Sequence, residues 1–162
     1  MKKTLYILVG LKGSGKSYIG SLVDRLPEVC FLKVEPIWVE YLNGHDHSKS
    51  GWEVVEAEID KQFTVYDRVM IESLGAGQEF EAFYASLRRK YAIKLIKVFA
   101  DLETCLDRVK RRDAANHIPI SDSRVEEINQ IAQHVTLDWD LVIDNRGPAP
   151  ASEIIKAIEA IL

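Results

Sequence analysis

Short apolar runs alternate along this chain with segments in which apolar residues recur every three or four positions. Runs rich in β-branched and aliphatic residues are typical of buried strands, and the three-to-four spacing is typical of one face of a helix. Five strands are predicted, at residues 4–9, 29–34, 67–72, 93–100 and 139–144. Because helical segments follow each of them, the pattern predicts an α/β fold with a parallel sheet covered by helices on both faces.

Capping signals place several of the helix starts. Ser50 with Glu53, and Ser123 with Glu126, match the capping box, in which the first side chain and the residue three positions later cap each other's backbone N–H groups. Asp101, directly after the fourth strand, is predicted to cap the next helix.

Length and composition predict one cytoplasmic domain. The chain has 162 residues, of which 47% are hydrophobic and 28% charged, and these values are ordinary for a globular protein with its own core. No apolar run is long enough for a membrane span. Cys30 and Cys105 lack metal-ligand spacing and are expected to be reduced thiols. The net charge of −4 disfavours nucleic acid as a partner, although basic residues gather between positions 88 and 112. The oligomeric state is left open.

The segment from Gly10 to Ser17 fits the phosphate-binding pattern G-x-x-x-x-G-K-[ST] at every specified position. It lies between the first predicted strand and a predicted helix, which is the context that this motif requires. A glycine-rich turn arising by chance is the alternative, and that context disfavours it.

The residue types in this loop suit a nucleoside triphosphate. Gly10, Gly13 and Gly15 let the backbone N–H groups turn towards phosphate oxygens. Lys16 is expected to reach the β- and γ-phosphates, and the Ser17 hydroxyl to ligate Mg²⁺. The predicted cofactors are therefore ATP and Mg²⁺. The predicted nucleotide-binding residues of the loop are Gly10, Leu11, Lys12, Gly13, Ser14, Gly15, Lys16 and Ser17.

Taken in order, the motifs resemble those of the small P-loop kinases. The phosphate loop is followed by Glu35 after the second strand, by Glu72-x-x-Gly75 after the third, and by an arginine-rich helix after the fourth. The set is similar to that of the shikimate, gluconate and nucleoside-monophosphate kinases, and of the related polynucleotide-kinase-like and zeta-toxin-like phosphotransferases. The resemblance implies a three-layer α/β/α fold with strand order 2-3-1-4-5. It also implies one domain over residues 1–162 with a lid around 108–124.

The resemblance gives the two acidic residues separate roles. Glu35 would contact the phosphate acceptor and act as its base, although the family places an aspartate there. Pro36 favours extended geometry at Glu35. The alternative role for Glu35 is that of a carboxylate at the start of a helix, next to Pro36, which interacts with the helix dipole and contacts no acceptor. Glu72 would help Ser17 to hold Mg²⁺, and the alternative is an ordinary polar end of a strand.

The resemblance also assigns the basic residues near the lid. Arg108 and Arg112 would be catalytic, and Arg111 would bind the ATP phosphates. A solvated basic helix end is the alternative for all three. Asn145 and Arg146 would border the adenine, and an ordinary turn is the alternative there.

The leading functional hypothesis is an ATP-dependent kinase acting on a small-molecule acceptor. A GTPase is disfavoured because the guanine-reading Asn-Lys-x-Asp segment is absent, and a transporter subunit because the signature Leu-Ser-Gly-Gly-Gln is absent. A non-catalytic ATP-binding sensor and a nucleotide- or polynucleotide-kinase-like enzyme stay open. Trp38, Tyr41 and Trp52 are candidates for stacking on an acceptor, although core packing is the better explanation of their helical spacing.

Overall fold

The computed structural model describes residues 2–111, 120–147 and 149–162. The strands are β1 (Thr4–Val9), β2 (Cys30–Phe31), β3 (Arg68–Ser73), β4 (Ala92–Phe99) and β5 (Leu141–Asp144). The helices are α1 (Lys16–Val23), α2 (Val34–Asn43), α3 (Gly51–Gln62), α4 (Gln78–Lys90), α5 (Leu102–Arg111), α6 (Asp122–Ala132) and α7 (Ala151–Glu159).

All five strands form one sheet in the order β2-β3-β1-β4-β5, and each recorded pairing is parallel. The predicted strand order is confirmed. Strand β1 lies in the middle of the sheet, where Leu5 to Val9 are at most 2% exposed. Because parallel strands end at one edge of a sheet, the segments after β1, β2, β3 and β4 meet there, and this edge carries the candidate site.

The alternation of side chains along β1 divides the core into two layers. Leu5, Ile7 and Val9 pack into one cluster with buried residues of α3 and α4. Tyr6 and Leu8 point to the opposite face and pack with buried residues of α1 and α7. The three-layer α/β/α architecture is therefore confirmed. Within the described ranges, no helix has the length and apolarity that crossing a membrane would require.

Several local predictions hold and others are wrong. Ser50 and Glu53 form the predicted capping box, Asp101 accepts a hydrogen bond from the Thr104 N–H, and both cysteines are free. The cap of α6 is Ser121, not Ser123, and its side chain accepts from the Arg124 N–H. The second strand has only two residues, because α2 already begins at Val34.

The extended backbone conformation predicted for Glu35 is wrong, because α2 begins at Val34. Glu35 lies in the first helical turn instead of extended chain. Pro36 follows it without breaking the helix, because the first N–H groups of a helix have no partner within the helix and a proline there loses no hydrogen bond.

Candidate active site

The phosphate loop connects β1 to α1 and depends on two glycines in left-handed backbone geometry. Gly13 has φ 86° and Gly15 has φ 101°. A Cβ on Gly13 would lie 2.2 Å from the Cys105 carbonyl oxygen, and one on Gly15 would lie 2.2 Å from Nδ2 of Asn145. Any side chain at either position would therefore strain the backbone and collide with a neighbouring element.

Lys16, the first residue of α1, folds back over the loop. Its ammonium donates to the carbonyl oxygens of Gly10 at 2.7 Å and Leu11 at 2.8 Å. Burial lowers the pKa of Lys16 to about 8, and the nearby Glu72 carboxylate opposes that shift. A partly desolvated cation at the start of a helix suits phosphate oxygens as partners.

The two residues predicted to hold Mg²⁺ are in direct contact. The Ser17 hydroxyl on α1 donates to Oε2 of Glu72, near the end of β3, at 2.7 Å. A hydroxyl and a carboxylate are the hard oxygen donors that Mg²⁺ prefers, and a magnesium site of this kind needs few protein ligands because waters and phosphates supply the rest. The residues present therefore fit the ion that the motif implies.

Glu35 lies close to the phosphate loop. One carboxylate oxygen, Oε1, is 3.9 Å from Nζ of Lys12, and both side chains are mostly buried, at 16% and 15% exposure. The structure thus brings the predicted acceptor-binding carboxylate to the side of the loop that also carries Lys16 and Ser17.

A cavity of about 500 Å³ joins these groups. Lys16, Ser17, Glu35 and Glu72 all line it at the end where the strands finish. Its remaining wall is mostly apolar and includes the aromatic side chains Trp38, Trp52 and Phe83.

Arg108 on α5 contacts the phosphate loop directly. Its guanidinium donates to the carbonyl oxygens of Gly13 at 3.3 Å, Ser14 at 3.2 Å and Asn145 at 2.7 Å. Asn145, only 7% exposed, donates its side-chain amide to the same Ser14 carbonyl at 2.7 Å. Both residues are therefore at the site, and both hold the loop in position.

The other basic residues predicted from the resemblance are placed differently. Arg146 is exposed, pairs with Asp144 at 2.6 Å and lies over the Phe99 ring at 5.2 Å. Arg111 is exposed at the last position of α5. Arg112, together with positions 113–119 of the predicted lid, lies outside the described residues.

Sequence reasoning missed one residue that supports the loop. Asn129 on α6 is 1% exposed; its Oδ1 accepts from the Lys12 N–H at 2.9 Å, and its Nδ2 donates to the Lys12 carbonyl at 3.0 Å. The two residues are 117 positions apart, and no motif or spacing links them.

We expect Asn129→Ala to lower the free energy of unfolding by about 1–3 kcal/mol, because it removes the two buried hydrogen bonds between the Asn129 side chain and the Lys12 backbone. The affinity for Mg²⁺-ATP should fall with it, since the loop loses its anchor. Chemical denaturation and calorimetry would measure both effects. Gln130→Ala, at an exposed position of the same helix, is the matched control; equal effects of the two changes would contradict the anchoring role.

Together, the sheet order and the glycine loop define the three-layer fold of the P-loop kinases, as the motif resemblance predicted. No protein-family model matches the chain, and no curated protein matches it in sequence. Solved structures do match it. A sugar kinase from Janibacter sp. HTCC2649 is 14% identical with a TM-score of 0.63, and the match covers 99% of this chain and 94% of the sugar kinase.

Two further solved structures span nearly the whole chain. The shikimate kinase of Aquifex aeolicus is 22% identical with a TM-score of 0.55, covering 96% of this chain and 94% of that one. The APS kinase of Mycobacterium tuberculosis, solved with AMPPNP and APS, is 15% identical with a TM-score of 0.59, covering 98% of each chain. At such identities the likeness concerns the fold alone.

Proposed function

We propose that this protein is an ATP- and Mg²⁺-dependent kinase that transfers the γ-phosphate of ATP to a hydroxyl or phosphate group of a small-molecule acceptor. The observation that carries the proposal is the single cavity in which Lys16, Ser17, Glu72 and Glu35 meet. The first three suit a metal-bound triphosphate, and the fourth places a carboxylate beside them.

We also propose that residues 1–162 form one domain with a lid around 108–124, and that the enzyme is cytoplasmic, as the free thiols of Cys30 and Cys105 suggest.

The loop and its lysine bind and orient the triphosphate. Backbone N–H groups around Gly13 and Gly15 contact the phosphates, and Lys16 exchanges its carbonyl partners for β- and γ-phosphate oxygens. Mg²⁺, held through Ser17 and Glu72, supplies neutralisation of phosphate charge when it is bound.

The acceptor oxygen then attacks the γ-phosphorus. A bond forms between these two atoms while the bond to the β–γ bridging oxygen breaks, and ADP leaves. For a hydroxyl acceptor, the released proton passes to the Glu35 carboxylate. Arg108 and Arg112 are proposed to stabilise the charge on the transferring phosphoryl group. Arg111 is proposed to bind phosphate, and Asn145 and Arg146 to border the adenine.

Calorimetry with Mg²⁺ and ATP, followed by an ADP-release assay over a panel of acceptors, tests the proposal. We expect nucleotide binding and acceptor-dependent ADP release. Absence of heat at millimolar ATP would contradict the proposal. Binding without ADP release for every acceptor would favour the ATP sensor instead.

The magnesium site gives a separate prediction. Glu72→Gln keeps an oxygen that can accept from Ser17 but removes the negative charge, so the Mg²⁺ concentration for half-maximal activity should rise about tenfold or more. A magnesium titration of ADP release would measure this. Glu126→Gln, at an exposed position, should leave the requirement unchanged; an unaltered requirement in Glu72→Gln would argue against a metal role.

A further inference from the structure

The part of the cavity away from the phosphate loop has a distinct chemical character. Trp38 and Trp52 come from α2 and α3, their ring centres are 5.4 Å apart, and the rings meet at 81°. Phe83 on α4 extends this surface, with its ring centre 4.7 Å from that of Trp52. We call these three side chains the aromatic wall; both tryptophans also pack on the core below, so their helical spacing serves both purposes.

Two local features fix the aromatic wall. The indole N–H of Trp52 donates to Oε2 of Glu79 at 3.1 Å, which orients its ring. Gly51 is buried under Trp38, and a Cβ there would lie 2.0 Å from the Trp38 ring. The presence of glycine at position 51 is explained by the space that the Trp38 ring occupies.

The charges that line the cavity are distributed unevenly. Among the described residues, its cations are Lys12, Lys16 and Arg108, and all three come from the phosphate loop or from the helix packed against it. Arg108 and Lys16 contact loop carbonyls, and Lys12 lies 3.9 Å from a Glu35 oxygen. A carboxylated or phosphorylated acceptor would have to compete with ATP for these cations, and it would lie near two carboxylates.

We infer that the acceptor is an uncharged alcohol with a flat aromatic or heterocyclic group. Its ring would stack against the aromatic wall, and its hydroxyl would face Glu35. This assignment rests on the proposed kinase function and names the substrate class of that same site. Neutral nucleosides and neutral aryl alcohols share the required chemistry.

Tryptophan emission offers a readout that does not depend on turnover. The chain has three tryptophans, and Trp139 lines a different cavity. In a Trp139→Phe protein the emission therefore comes from the aromatic wall. This protein would be saturated with Mg²⁺ and a non-hydrolysable ATP analogue and then titrated with matched pairs: uridine against uridine 5′-monophosphate, and methyl 4-(hydroxymethyl)benzoate against 4-(hydroxymethyl)benzoate.

We expect the neutral member of at least one pair to bind about tenfold or more tightly than its anionic partner, and the responding pair identifies a nucleoside or an aryl alcohol. Equal or tighter binding of the anions, or no binding of either neutral compound once analogue binding is established, would overturn the inference. Failure of the analogue itself to bind would overturn the kinase proposal too. Binding of the neutral compound without ADP release in the ATP reaction would show that the aromatic wall binds this class of compound, and it would contradict the role of that compound as the phosphate acceptor.

Variants of the aromatic wall locate the binding. Trp38→Leu keeps apolar volume but removes the flat ring, and should weaken the neutral compound about tenfold. Gly51→Ala keeps the ring but displaces it, and should weaken binding in the same direction. Tyr84→Leu, an aromatic residue of α4 that lines a different cavity, should have a smaller effect. Unchanged affinity in both wall variants, with folding confirmed by circular dichroism, would overturn the assignment of the ring to this surface.

Discussion

Replacing Lys16 with alanine should lower kcat by at least about a hundredfold, because a preorganised cation at the transferring phosphate is lost. The fold should survive the change. Burial already lowers the pKa of the Lys16 ammonium to about 8, which means that the folded protein bears a desolvation cost for this charge. Removing the group relieves that cost while it removes two hydrogen bonds to loop carbonyls.

Steady-state ADP release at saturating ATP measures the loss, and chemical denaturation checks the stability. Lys33→Ala is a suitable control, because Lys33 is exposed and directly precedes α2. A turnover number unchanged from the parent protein would show that Lys16 does not act on the phosphates. A loss of structure in the variant would instead show that its bonds to Gly10 and Leu11 maintain the loop.

The central part of the site could be predicted because its signal is local in sequence. Gly13 and Gly15 adopt positive φ, and Lys16 and Ser17 follow within two residues, so the pattern that predicts phosphate binding is contained in eight consecutive positions. The pairing of Ser17 with Glu72 came from the order of the motifs, since parallel strands bring their ends to one edge. The contact at 2.7 Å is consistent with that inference.

The contacts that the sequence could not predict are those that depend on packing between elements distant in the chain. Asn129 anchors Lys12 across 117 positions, and the space that Gly51 leaves for Trp38 depends on how α2 meets α3. Arg108 was predicted from the resemblance to be catalytic, and its bonds to the carbonyls of Gly13, Ser14 and Asn145 depend on the packing of α5. Such contacts follow from the assembled helices and have no periodic signal in the chain.

The start of α2 was missed for a different reason. Val29 to Val34 has the composition of a strand, but the sheet uses only Cys30 and Phe31. Val34 instead packs against the core as the first residue of α2. Tertiary burial therefore overrode strand propensity, and this moved Glu35 from extended chain into a helical turn.

A substitution at Glu35, in the first turn of α2, tests directly whether this carboxylate accepts a proton from the acceptor. Glu35→Gln keeps the size of the side chain and removes its ability to take a proton, so kcat with a hydroxyl acceptor should fall about a hundredfold. The affinity for ATP should change little, because the proposed contacts to the triphosphate come from the loop and from Lys16. Calorimetry for ATP and steady-state kinetics for turnover would separate the two effects.

Two further variants separate the effect of the Glu35 carboxylate from the effects of its length and of the charge on α2. Glu35→Asp retains the carboxylate that lies 3.9 Å from Lys12 but shortens it by one methylene, so it should keep more activity than Glu35→Gln if proton acceptance is what matters. Glu40→Gln, at an exposed position of the same helix, controls for the loss of a charge from α2. Equal losses of turnover and ATP affinity in Glu35→Gln would mean that Glu35 supports the loop through Lys12, because a residue that only positions Lys12 would alter nucleotide binding and transfer together.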